Sequence, residues 1–414
     1  MKNIKHILHI VIFTAILALV LSGIGNILNR KYSRQKHCGF LEQKVDYDVL
    51  FLGTSHVING MNPMELYKEY GISSYNLSNH GCPMALTYWV MMNAFEIQEP
   101  KLVVVDLYGL RWEDKLDKNT EYAHDALDGF PLTLTKWKSA WDLFDTVEDR
   151  MQLAVPFAKY HGRWNEIDKK DFILNNNFAA GWQFRMGISA DIQRPQLPDE
   201  GLLPEKRTLS MDYLEKLVNE CRSREIDVLL CYIPCAEKTE YQVSGNFGYV
   251  LSEKYGINYL NLAKDETLVN YGTDFGDSDG HLNPSGARKV TSAMGKFIKD
   301  NYDVADCRLT ESAVLWSGFY ETYFKSYIAN TQARKTVYEY LMMLNNVNLE
   351  AEIHLSDDID KNSHPLLFEL IDNLKEGSLI TLERLKTQDG ADIEIVVRRK
   401  DTGAEVGKKS YKLN

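Results

Sequence analysis

Tyr47-Asp48-Val49-Leu50-Phe51-Leu52-Gly53-Thr54-Ser55-His56 decides how the chain is read. A short apolar run that ends in glycine marks a buried strand entering a turn. Downstream, Met64 to Tyr70 has helical character, Ser74-Tyr75-Asn76-Leu77 reads as a short strand, and Met84 to Ile97 is apolar at helical spacing. Lys101-Leu102-Val103-Val104-Val105-Asp106-Leu107 is β-branched without alternation, which predicts a strand covered on both faces. Strands that alternate with helices imply a parallel α/β sheet.

The rhythm breaks from about Trp112 to Arg207, a stretch rich in Trp, Asn and Asp that predicts a mainly helical insertion. It resumes with a helix over Met211 to Arg224, a strand over Ile226 to Ile233, a helix around Tyr249 to Tyr255 and a strand over Ile257 to Leu262. A polar loop, Asp274 to Asn283, precedes a last helix, Ser285 to Tyr302. Beyond Cys307 the composition shifts. A Tyr- and Met-rich helical stretch (Val314 to Leu344) is followed by an extended Glu352 to Leu355 and a helix Pro365 to Leu374. Strands near Ile380 and over Ile393 to Arg399 follow, and Asp401-Thr402-Gly403 can turn a hairpin. Residues 307–414 therefore read as a small separate α+β domain.

The 414 residues are 44% hydrophobic and 25% charged, a globular composition that excludes disorder. The net charge of −11 removes a chain-wide basic footprint, so no nucleic-acid partner is expected. Mean hydropathy of −0.32 excludes a polytopic membrane protein. One segment stands apart. His6 to Asn29 carries no Lys, Arg, Asp or Glu, and Ile7 to Ile27 as a helix would be about 30 Å long, enough to cross a bilayer. A cleaved secretory signal is the alternative. Leu21-Ser22-Gly23-Ile24 offers no clean small-x-small site and no lipobox Cys, which favours an uncleaved signal anchor over residues 1–30. Arg30, Lys31, Arg34 and Lys36 follow the helix and by charge alone do not favour export, although long domains cross despite that bias. The six cysteines form no Cys-x-x-Cys pair, which removes support for a zinc ribbon or thioredoxin-like site; Cys231 and Cys235 lie in an apolar run that predicts burial.

Two places carry chemistry. Ser55 sits on the turn after the first strand, at the carboxyl edge where open α/β sheets place their sites. Its glycine neighbour permits the turn, and the helix amino terminus can help hold an oxyanion. The bland alternative is a helix cap. The second place is Asp277-Ser278-Asp279-Gly280-His281-Leu282-Asn283-Pro284-Ser285-Gly286. A His beside carboxylates before a helix suits a general base whose tautomer an Asp fixes. A helix cap explains Asn283 to Gly286 but not Asp-Gly-His.

Together these residues resemble the SGNH/GDSL esterase and acyltransferase superfamily, over about Val45 to Tyr302. The resemblance implies a flavodoxin-like parallel sheet with helices on both faces, Ser55 as nucleophile and His281 as base. In the second block, Tyr75-Asn76-Leu77-Ser78-Asn79-His80-Gly81 offers Gly81 beside the Ser55 amide as oxyanion donors. Two departures are visible. The third block, usually Gly-x-Asn-Asp, reads Asp106-Leu107-Tyr108-Gly109 and lacks its Asn. The usual Asp-x-x-His would put Asp at Ser278; here Asp279 is the expected triad acid, with Asp277 as fallback.

With the anchor, these features resemble membrane-anchored bacterial proteins of cell-surface polymer O-acylation and D-alanyl transfer. That resemblance implies an SGNH-type domain over 31–306, with its insertion at about 112–207, outside the cytoplasm on a single-pass anchor. It implies a serine acyltransferase or esterase acting on O-acyl groups of a cell-surface polysaccharide or other acylated glycan, with a membrane-bound O-acyltransferase as partner. Pro156 to Trp164 looks like a segment of such anchored members: Trp164 would stack on a sugar and Arg163 hold a carboxylate or phosphate, unless both serve the insertion's core. The rival readings are a carbohydrate O-acetyl esterase and a catalytically silent scaffold that binds polysaccharide or an acyltransferase. No cofactor is called for, and no ligand spacing supports a metal at His56, His80 and His281.

Overall fold

The computed structural model describes residues 2–29, 31–42, 44–172, 179–189, 191–377, 379–384 and 390–413; Arg30, among the charges flanking the first helix, lies outside them. Five parallel strands form the main sheet: β1 (Val49–Leu52), β2 (Ser74–Asn76), β3 (Leu102–Asp106), β4 (Asp227–Tyr232) and β5 (Asn258–Asn261), in the order β2-β1-β3-β4-β5. All of β1 and β3 is buried, as an unalternating apolar run requires. The period-2 geometry splits their side chains between two cores. Leu50, Leu52, Val103 and Val105 pack with residues of the helices Met84–Phe95 and Leu209–Ser223. Val49, Phe51, Val104 and Leu229 pack with Val57, Leu66, Val290 and Met294 from the helices Ser55–Gly60, Pro63–Tyr70 and Pro284–Asn301. The strand order reverses between β1 and β3, so the crevice beyond their carboxyl ends is the topological switch point.

The insertion is helical only in its first half, with helices Glu121–Leu127, Leu134–Leu143, Val147–Ala154 and Pro156–Tyr160. The described residues of 179–207 contain no helix or strand. Pro195, Pro198 and Pro204 interrupt any helix there. The backbone bonds to distant parts of the chain instead: Ala180 O accepts from Asn76 N (2.9 Å), Gln183 N donates to Ile58 O (3.2 Å) and Ser189 N donates to Phe275 O (2.9 Å).

In the last hundred residues, β6 (Leu349–Leu355), β7 (Leu379–Arg384), β8 (Ile393–Arg399) and β9 (Glu405–Tyr411) form a second sheet in the order β7-β6-β8-β9. β6 and β7 are parallel, joined through the helix Pro365–Gly377; the other pairs are antiparallel. Gly403, at φ +69°, closes the β8–β9 turn. The expected helical stretch before this sheet is two helices, Ala313–Gln332 and Val337–Leu344, the second capped by Thr336. This unit meets the main one through Trp316 stacked on Tyr67 (5.6 Å between centroids) and Tyr323 Oη accepting from Asn62 Nδ2 (2.8 Å). The six cysteines are all buried and form no disulfide among the described residues. The helix Lys2–Leu28 contains one segment, Ile4–Gly25, that is long and apolar enough to cross a membrane, with mean hydropathy 2.6.

Candidate active site

Ser55 opens the helix Ser55–Gly60, directly after β1. Thr54 caps that helix by accepting from His56 N (3.3 Å). Gly53 makes the turn possible: a Cβ there would meet Val57 Cγ2 at 2.6 Å and Asp106 Cβ at 3.0 Å. Across the crevice, Phe275 and Leu282 form a bridge, and Gly276 N donates to His281 O (2.8 Å), closing a tight loop over 276–281. Gly280 supplies the left-handed residue at φ +79°, with its Cα side packed on the Ala236 backbone.

This loop brings His281 Nε2 to 2.7 Å from Ser55 Oγ, although 226 residues separate them. His281 Nδ1 lies 3.0 and 2.9 Å from the two oxygens of Asp277. A carboxylate only accepts, so Nδ1 carries the proton and Nε2 is left to accept from the serine hydroxyl. The expectation that Asp279 serves His281 is corrected. Asp279 is exposed, and its carboxylate comes within 4.8 Å of this cluster without bonding the imidazole. Asp277 Oδ1 accepts from the backbone N–H of Asp279 (3.0 Å) and of His281 (3.2 Å), so the carboxylate that curls the loop is also the one beneath the ring. Asp277 is further ion-paired with Arg185. Burial pushes its carboxyl up, but His281, the loop N–H groups and Arg185 outweigh burial and hold it below the ordinary carboxylate range.

Ser55, Gly81 and His281 line one cleft of about 470 Å³. Among the described residues no acceptor takes the backbone N–H of Ser55 or Gly81. Gly81 is at φ +47°, and a Cβ on it would strike Tyr122 Cδ2 at 2.1 Å, so only glycine presents this N–H in this place. The loop before it is held from below by Lys36, whose buried Nζ donates to Ser78 O and to Asn79 Oδ1 (3.1 Å).

Asp106 turns into the fold: Oδ1 accepts from Ile233 N (3.0 Å) and Oδ2 from Tyr108 N (3.3 Å), tying the ends of β3 and β4 together. Burial raises its carboxyl to about 7. Tyr108 then walls the cleft, its ring 4.0 Å from that of His56, which stacks on His281 at 4.8 Å. Burial, with help from neighbouring His281, lowers His56 to about 3, so it packs as a neutral ring. His80 is likewise lowered to about 4, chiefly by burial. The remaining wall includes Trp112 and Arg111; Arg111 is paired with Glu237.

Arg163 and Trp164 do not line this cleft. They lie on the short helix His161–Asn165, where Arg163 donates to Leu28 O at the end of the N-terminal helix and pairs with Asp171 (3.3 Å). Trp164 is 71% exposed. Tyr122, Arg185 and the Tyr108–His56 stack were not singled out as site features by sequence. Each acts through a contact with a residue distant in the chain or through a ring packing that no local motif encodes.

No protein-family model and no curated protein matches the chain. Among solved structures it is similar to a Bacteroides fragilis protein described as a candidate acylhydrolase, with 11% identity, a TM-score of 0.31, and coverage of 66% of this chain and 98% of that one. It is also similar to an acetyl xylan esterase from the rumen bacterium Butyrivibrio proteoclasticus, with 8% identity, a TM-score of 0.26, and coverage of 62% and 65%.

Proposed function

We propose that this chain is a membrane-anchored SGNH-type serine acyltransferase or esterase that acts on O-acyl groups of a cell-surface polysaccharide. The observation that carries the reading is the relay from Ser55 Oγ to His281 Nε2 (2.7 Å) and from His281 Nδ1 to Asp277 (2.9 Å). In this reading Ser55 attacks the acyl carbonyl and its proton passes to His281 Nε2. Asp277 fixes the tautomer and stabilises the imidazolium. The Ser55 and Gly81 N–H groups receive the oxyanion. His281 then protonates the departing alcohol, and an acceptor hydroxyl or water, deprotonated by the same imidazole, releases the acyl group. Trp112 and Tyr122 on the cleft wall give a sugar an aromatic surface. The apolar helix Lys2–Leu28 would hold the domain on the outer side of the membrane.

In this reading the oxyanion would be held by two backbone donors, without the third-block Asn side chain, since Asp106 at that position is bonded to Ile233 N and Tyr108 N and does not line the cleft. One such donor is worth roughly two orders of magnitude in rate. That favours transfer, in which a positioned acceptor supplies effective molarity, over hydrolysis in bulk water. Fluorophosphonate labelling tests the nucleophile: the wild-type chain takes one adduct on Ser55, and Ser55→Ala takes none. Absence of label on folded wild type sinks the enzyme reading and leaves the scaffold. Mass spectrometry of an added glycan separates transfer, which acylates it, from hydrolysis, which does not.

A further inference from the structure

A second cavity, of about 650 Å³, lies where the N-terminal helix meets the rest of the chain. Leu21 and Gly25 of that helix form one wall; Leu41, Phe130, Val155 and Phe157 form the others. Gly25 sits against Phe157, with room for no more than a Cβ at 3.4 Å. Gly25 is also the last residue of the membrane-length segment Ile4–Gly25. The cavity therefore opens at the level where that segment ends.

Its lining is mainly apolar, with Ser22, Asn29, Glu42, Asp128 and Lys136 as the polar members. Lys136, 1% exposed, donates from Nζ to Phe130 O (2.8 Å) and Asp128 O (3.3 Å). An ammonium has three N–H bonds, and among the described residues the third has no acceptor. Asn29, 2% exposed, donates from Nδ2 to the same Asp128 carbonyl (3.4 Å), and its Oδ1 has no partner. Lys136 Nζ and Asn29 Nδ2 thus meet at one carbonyl, with one ammonium N–H and one amide oxygen left over. The carboxylates nearby are already engaged. Asp128 accepts from Tyr160 Oη (2.6 Å) and from His124 (3.1 Å), and Glu42 is paired with Lys44 (2.6 Å). Buried polar atoms without partners are rare in folded chains, and Asn29 Oδ1 is one of them, on the wall of a cavity of ligand size beside a lysine with one N–H to spare.

We propose that this cavity binds one bilayer phospholipid, with a phosphate oxygen on Lys136 Nζ, a head-group N–H on Asn29 Oδ1 and the start of an acyl chain along Leu41, Phe130 and Val155. Phosphatidylethanolamine has the required acceptor and donor in one head group; phosphatidylcholine has the phosphate but no N–H. The proposal rests on reading Lys2–Leu28 as a membrane anchor.

The test uses the full chain in phosphatidylethanolamine/phosphatidylglycerol vesicles that carry a tracer phosphatidylethanolamine with a diazirine near the head of one acyl chain. After irradiation, adducts are mapped by mass spectrometry. Wild type should be labelled within 128–136 and 154–157, about tenfold more than Lys136→Met. Because Lys136→Met removes two buried hydrogen bonds, Leu132→Trp, at an exposed lining position, serves as the second variant and should lose the same adducts. A phosphatidylcholine tracer should label these segments less. Equal labelling in the folded variants, or adducts confined to the N-terminal helix, overturns the proposal. Alkaline carbonate extraction of the same vesicles distinguishes the failures. A chain that is extracted refutes the anchor and the cavity proposal together, while a retained chain without cavity adducts refutes the cavity proposal alone.

Discussion

Asp277 bears two loads, and the difference between them is measurable. One oxygen receives two backbone N–H groups that curl the loop, and both oxygens face His281 Nδ1. Asp277→Asn keeps a carbonyl for the loop but removes the charge that fixes the tautomer. Turnover of an aryl acetate should fall by about 10⁴ with the fold intact. Asp279→Asn removes only an exposed carboxylate and should leave turnover within about twofold, in line with surface substitutions generally. The opposite ranking would return the role to Asp279. The lowered carboxyl of Asp277 adds stability that is present above the unfolded value of about 3.9 and is lost as pH falls through the folded one. Acid unfolding of Asp277→Asn should therefore be less steep below about pH 4 than that of wild type. Sequence narrows the triad acid to two residues and stops there. Which carboxylate reaches an imidazole two or four residues on depends on the backbone angles of Gly280, and those depend on Ala236 packed beneath it. Arg163 and Trp164 mislead for a related reason: their side-chain types suit a glycan, but nothing local tells that their helix faces the end of the N-terminal helix.

The helix Lys31–Leu41, which follows the N-terminal helix, reaches the loop before Gly81 through one side chain. Lys36 is buried, and among the described residues its ammonium is held by Ser78 O and Asn79 Oδ1 rather than by a carboxylate. Burial lowers it to about 7. Since the unfolded lysine titrates near 10.4, the folded chain binds fewer protons between those values, and stability rises with pH across that window. Urea midpoints should increase from pH 7 to 9 in wild type by more than in Lys36→Met. An identical increase in both would show that Lys36 is not the titrating group. The same variant loosens the segment that ends at Gly81, so kcat should fall about tenfold with KM little changed. Gly81→Ala is the sharper probe of that segment. It meets both a left-handed backbone and the Tyr122 ring, and should cost about a hundredfold in turnover. Tyr122→Ala in the same chain should recover part of the loss by removing the clash; no recovery would assign the whole effect to the backbone. At this scale much is legible. The strands β1, β3 and β4 follow from unbroken apolar runs. Residues 179–207 do not, because their order comes from bonds to Asn76, Ile58 and Phe275 rather than from a period of their own.

At the scale of the whole molecule, the C-terminal unit supports the loop that carries Asp277 and His281. Asp274, fully buried, starts the polar stretch that runs to Asn283. Its Oδ1 accepts from Ser285 Oγ (2.8 Å) and from Asn373 Nδ2 (2.7 Å); its Oδ2 accepts from Lys289 Nζ (2.9 Å) and Asn270 N (2.8 Å). Asn373 belongs to the helix Pro365–Gly377, and Asn345, which follows the helix Val337–Leu344, donates to Ser285 Oγ (3.1 Å). Asn283 N in turn donates to Asp274 O (2.9 Å), which closes the base of the loop bearing Asp277 and His281. The helix Lys31–Leu41 below the Gly81 segment and the C-terminal unit behind the His281 loop therefore act on different walls of one cleft. Asn373→Leu keeps the volume and leaves Asp274 without one donor in a buried place, at a cost of about 1–3 kcal/mol. Its thermal midpoint should fall by several degrees, as that cost implies for a chain of this size. If the network also sets the His281 loop, the fluorophosphonate labelling rate of Ser55 should fall about tenfold at a temperature where the variant is fully folded, since misplacing the base by a fraction of an ångström suffices. Asn373→Gln, which restores a donor on a longer arm, should recover part of the rate. A lowered midpoint with an unchanged labelling rate would confine the C-terminal unit to holding the fold, and the cleft would then owe nothing to it.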